Sequence, residues 1–261
     1  MYLDPALAGF GMLVGLSLGM TGSGGSILAI PLLVYGAHVP ISEALAISLI
    51  MVAMIAAFGA IKQTRQRKVD WRTAILFSLS GIIISPVVVS LTHEMNDGIR
   101  MGLFAVLMIL VALKMITPTK AKDTAIEKKP EDNPSLASIA FAGGLAGCLA
   151  GFFGVGGGFI IVPLLVLVFF MPYNLAVGTS LASIALISIS AVIGHFLKGT
   201  AIDIHIIVPF VIGGMGGMVI GTYIISKIPE TFAKKIFAFI IGGMAIFILI
   251  DNFILHQGGA L

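Results

Sequence analysis

The chain is poor in charge, almost free of cysteine and contains a single tryptophan. Of its 261 residues only 10% are Asp, Glu, Lys or Arg, against roughly 25% in a soluble domain. That deficit excludes a solvated globular fold, which needs ionised side chains over most of its surface. The one cysteine, Cys148, excludes an intramolecular disulfide and any multi-cysteine metal site, and reads as a small packing residue. The sequence has no HExxH, no nucleophile–base signature and no GK[ST] phosphate loop, so no enzyme, cofactor or metal is expected. It also lacks a deep acidic pair of the kind a cation pump would use. The net charge of +3 comes mostly from basic residues in short loops, which gives no reason to expect a nucleic-acid partner.

Apolar residues dominate instead: 58% of the chain, with a mean hydropathy of +1.12. This composition predicts an all-α polytopic membrane protein whose main partner is the lipid bilayer. No basic stretch precedes the first apolar run, so no cleaved targeting segment is expected.

The apolar blocks repeat. Gly15 to Pro31, GLSLGMTGSGGSILAIP, returns 132 residues later as GCLAGFFGVGGGFIIVP, Gly147 to Pro163. Without a gap, Pro40, Ala44, Ser48 and Leu49 then meet Pro172, Ala176, Ser180 and Leu181. After one inserted residue, Asp70, Phe77 and Gly81 meet Asp203, Phe210 and Gly214. Agreement over this length predicts an internal duplication. The first repeat is residues 1–117, a charged linker covers 118–134, and the second repeat is 135–261, all forming one transmembrane domain.

Each half opens with a block broken by glycine, at 6–36 and 136–171, and then carries three spans. These are near 42–61, 72–91 and 99–117, and near 174–195, 204–226 and 232–255. Adjacent glycines destabilise a helix interior by about 1 kcal/mol each relative to alanine. Each broken block is therefore either an interrupted crossing or a re-entrant hairpin. The basic residues separate these cases. Single crossings make the halves parallel and divide Lys and Arg 11 to 4. Hairpins invert one half relative to the other and divide them 13 to 2. The tally favours inverted repeats, each a broken re-entrant hairpin plus three transmembrane helices, with the linker cytoplasmic and both termini outside.

A helix broken inside a membrane needs its free backbone groups buried in protein or facing a wet cavity. Helix starts at the breaks present N–H groups and partial positive charge, which suit an anion. The candidate binding residues are Gly22, Ser23, Gly24, Gly25 and Ser26 in one half. In the other they are Gly154, Val155, Gly156, Gly157 and Gly158. Ser48, Thr179 and Ser180 on the following spans would add a polar wall, together with Ser183. Gly15/Gly19 and Gly147/Gly151 have helix-packing spacing instead. Glu43 and Asp203 read as interfacial, and Arg72, His195 and His205 sit at span ends where they would guide an anion. The tips are expected to meet near the membrane midplane.

Two copies of GxxxGxxGxGGxxxxxP, each followed by a proline and an A-x-x-x-[T]S segment, resemble the TauE/SafE sulfite-exporter family over essentially the whole chain. The resemblance implies a permease of the prokaryotic cytoplasmic membrane for sulfite, sulfoacetate or a related organosulfur anion. The first half departs from the pattern, with Ala46–Ile47–Ser48 where the second has Gly178–Thr179–Ser180. An anion channel and a scaffold that uses its glycines only for packing are the competing readings. A monomer and a homodimer both fit.

Overall fold

The computed structural model describes residues 4–22, 25–92, 94–116, 136–156, 158–167, 169–200, 203–225 and 230–254. The linker 118–134, Ser23, Gly24 and Gly157 lie outside the described residues. Ten α-helices make up the described chain, with no strand among them. They are α1 (Pro5–Thr21), α2 (Ser26–Pro31), α3 (Ile41–Arg65), α4 (Trp71–Thr92) and α5 (Asp97–Ile116). The second set is α6 (Leu136–Phe153), α7 (Gly158–Leu167), α8 (Tyr173–Leu197), α9 (Ile204–Ile225) and α10 (Glu230–Ile254). Among the described residues, α3, α4, α6, α8 and α9 are long and apolar enough to cross a membrane. Many large apolar side chains on α4, α5 and α10, such as Ile83, Leu110 and Phe239, point outward. A bilayer would solvate that surface, whereas α3 and α8 form the buried centre.

The first broken block is a hairpin. At 17 residues α1 spans about 25 Å, short of the roughly 30 Å core. Gly25 then folds back onto α1, where a Cβ would lie 2.3 Å from the Val14 carbonyl oxygen. Further back along α1, Gly36 meets the Phe10 ring. Pro31 lacks an N–H, and α2 continues past it as a wider π turn over Leu32–Gly36.

Helix packing is reciprocal. α1 packs on α9 as α6 packs on α4, α3 packs on α8, and α5 packs on α10. Register gives the directions. Gly11, Gly15 and Gly19 face Phe210, Gly214 and Met218, so α1 and α9 are parallel. Gly143, Gly147 and Gly151 face Phe77, Gly81 and Ser85, so α6 and α4 are parallel as well. Ile55 and Gly59 meet Gly214 and Met218 in the same order, which aligns α3 with α9. The Asp70 N–H bonds Thr179 and Ser190 bonds the Ile82 carbonyl, which aligns α8 with α4. Gly178, near the start of α8, abuts Lys68 just after the end of α3, so α3 and α8 are antiparallel. Hence α1, α3 and α9 run one way and α4, α6 and α8 the other. The matching pairs α1 and α6, α3 and α8, and α4 and α9 thus point in opposite directions, the arrangement that inverted halves require.

The paired acids cap helices. Asp70 accepts the Arg72 and Thr73 N–H groups at the start of α4, and Asp203 accepts the His205 N–H at the start of α9. Asp203, Arg72 and His205 are exposed and His195 is buried.

Candidate functional site

Both glycine breaks adopt one backbone form. α1 ends where Gly22 enters the left-handed region (φ 72°), its N–H bonded to the Leu18 carbonyl at 2.7 Å. α6 ends the same way at Gly154 (φ 65°), bonded to Ala150 at 2.9 Å. The return arms also finish alike. Val39 N–H bonds Leu33 O and Met171 N–H bonds Leu165 O, with His38 and Phe170 both at φ 52°. Every one of these pairs is separated by 132 positions, so the matched sequence segments have matched geometry.

Each turn is held by the opposite half. Ser180 Oγ lies 2.8 Å from the Gly22 carbonyl oxygen and 2.8 Å from that of Val177. Ser48 Oγ lies 2.6 Å from Gly154 O and 2.9 Å from Leu45 O. A carbonyl at a helix end has no partner of its own, and inside a membrane water cannot supply one. Ser48 and Ser180 supply it, and both are fully buried. They face the glycine turns as the sequence suggests, with their protons directed at backbone oxygen.

Gly22 and Gly154 do not themselves meet. Their seats, Val177/Ser180 and Leu45/Ser48, lie near the starts of two antiparallel helices. The Leu45/Ser48 seat is about 6–10 Å from Val52, near the middle of α3, and the Val177/Ser180 seat lies on the opposite side of that level. The halves approach more closely just past the turns. α2 touches α7, and Gly156 (φ 67°) faces Ser188 and Ile184 of α8 and Val52 of α3. The meeting point expected for the tips thus belongs to the return arms.

The remaining candidates divide between these surroundings. Gly25, Ser26, Val155 and Gly158 are buried at the starts of the return arms. No side chain caps α2 at Gly25. Thr179 is turned to the α3–α4 connection, where its oxygen accepts the Asp70 N–H at 3.0 Å. Ser183 follows it, 3.1 Å from the Thr179 carbonyl oxygen. Cys148 lines an apolar groove of about 350 Å³ with Leu103, Leu107 and Phe152, a setting without polar donors for an anion. Gly15, Gly19, Gly147 and Gly151 serve packing, as expected: a Cβ at Gly15 would lie 1.9 Å from the Gly214 oxygen.

Ser188 was missed by sequence reasoning. It is fully buried, its hydroxyl has no hydrogen-bond partner among the described residues, and it faces Gly156. The duplication could not flag it, because its counterpart in the first half is Ala56.

An all-helical membrane body with oppositely directed halves and helix breaks clamped between them is the architecture of a multi-pass membrane transporter. Residues 7–248 match the family model described as Sulfite exporter TauE/SafE, and the chain belongs to that family. It is 31% identical to a "Probable membrane transporter protein" of Xylella fastidiosa, covering 92% of this chain and 93% of the relative. A protein of the same description from Methanocaldococcus jannaschii is 26% identical, over 95% and 96% of the two chains. A third, from Bacillus subtilis, is 26% identical over 72% and 77%. No solved structure matches the chain.

Proposed function

We propose that the protein is a secondary permease for a small sulfur-containing anion such as sulfite, thiosulfate or an organosulfonate. The observation that carries this reading is the pair of glycine hairpins, each clamped by a serine of the opposite half, with their return arms in contact. The anion binds where α2 and α7 approach, beside the segments Gly22–Ser26 and Gly154–Gly158. Donors there are backbone N–H groups and hydroxyls, which suit oxygen acceptors. Alternating exposure comes from one half rocking against the other. The linker 118–134 faces the cytoplasm and both termini face outward across a prokaryotic cytoplasmic membrane. The sulfur chemistry follows the family description; the anion preference follows the donors.

Purified protein in liposomes tests the reading. Saturable uptake of labelled sulfite, thiosulfate or an alkylsulfonate, accelerated by the same anion preloaded on the far side, is the expected result. Uptake that neither saturates nor shows counterflow assigns a channel instead. Absence of flux for all three anions removes the substrate assignment.

A further inference from the structure

We infer that Ser188 is a substrate-contacting hydroxyl at the second glycine hairpin, and that it supplies the donor which this hairpin's own sequence lacks. The inference rests on the permease reading above. The first hairpin carries hydroxyls within its break, Ser23 and Ser26; the matching positions of the second are Val155 and Gly158. Opposite the second break, however, the inner face of α8 presents Ser188, and the matching position of the first half is Ala56. The hydroxyl is thus retained in each half but moved from the hairpin to the facing helix.

The geometry around Ser188 differs from that of its neighbours. Ser180 donates across the halves, Ser183 lies against the Thr179 carbonyl and Ser190 donates to Ile82. A serine inside a helix ordinarily bonds back to the preceding turn, yet Ser188 Oγ has no such bond although it is fully buried. An unpaired buried hydroxyl costs stability and calls for an explanation. Ser17 and Ser85 also lack partners; the Ser85 carbonyl lies against Gly151 of α6, whereas at Ser188 it is the hydroxyl itself that meets a glycine of the break. Ser188 faces the left-handed Gly156: a Cβ there would lie 2.6 Å from its Oγ, with Ile184 and Val52 beside it. This is the middle of the α3–α8 pair, where the halves approach. At so short a distance Gly156 and Ser188 are in contact, so an oxyanion takes the Ser188 proton only when the second hairpin draws back from α8 as the halves move.

Wild-type protein, Ser188→Ala and Ser188→Cys are compared in liposomes with labelled sulfite, and by thermal unfolding in detergent. Both variants are expected to raise the half-saturating sulfite concentration about tenfold, the loss of one hydrogen bond to a charged acceptor. Maximal rate should stay within about twofold, and the Ala variant should unfold at or above the wild-type temperature. Unchanged half-saturation in both variants overturns the inference and leaves Ser188 as a packing residue. If the wild type itself moves no sulfur anion, the permease reading fails at the control, separately from any variant, and the assignment of Ser188 falls with it.

Discussion

At positions 22 and 154 the backbone turns with positive φ while the other half presses against the Cα. A Cβ at Gly154 would come within 2.9 Å of Leu45 Cα, and left-handed backbone costs a non-glycine residue about 1–3 kcal/mol. Gly154→Ala should therefore lower the unfolding temperature in detergent more than Ser180→Ala does. The serine variant leaves the Gly22 carbonyl buried without its partner, a loss of about 1–3 kcal/mol. Ser48→Ala should cost a similar amount, because its bonds to Gly154 and Leu45 repeat the same pattern. Equal stability of Ser48→Ala, Ser180→Ala and wild type would show that the clamps carry no weight. The glycines were legible in the sequence because backbone demands leave a compositional mark. The acceptors of Ser48 and Ser180 were not, since they depend on which half meets which. Ser188 was invisible for another reason: its neighbourhood exists only once α7 lies against α8.

Glycine on α1 has two different surroundings one and a half turns apart. Gly15 touches the α9 backbone, whereas Gly9 has nothing within 4 Å. Gly9→Ala should keep or raise stability, by up to about 1 kcal/mol from helix propensity. Gly15→Ala must push α1 away from α9 and should reduce the yield of monodisperse protein, read by size-exclusion chromatography. Equal behaviour of the two variants would refute the close α1–α9 contact. The helices and the small-residue spacing of α1 and α6 could be read from the chain alone. Their partners could not. Gly213, Gly217 and Gly221 of α9 seat on Ala8, Met12 and Leu16 of α1, a match between segments some 200 positions apart. Block length left hairpin and crossing both open, and the contacts of Gly25 and Gly36 with α1 decide for the hairpin in the first half.

For the molecule as a whole, helix direction and loop charge lead to the same topology. Matching helices run oppositely, and only hairpin blocks give the 13-to-2 division of basic residues. A reporter fused to the C-terminus should accordingly report the outer face, and one placed within 118–134 the cytoplasm. A cytoplasmic C-terminal signal would contradict this orientation. The duplication was legible because glycine, proline and serine recur at one spacing. How the copies engage was not, because the main helix pairings, α1 on α9, α4 on α6, α3 on α8 and α5 on α10, each join residues of different halves. The serine clamps carry a consequence for ancestry. A lone half would leave its turn carbonyl without the serine that completes it, so a half-length forebear would have had to insert in both orientations and assemble with its own upside-down sibling.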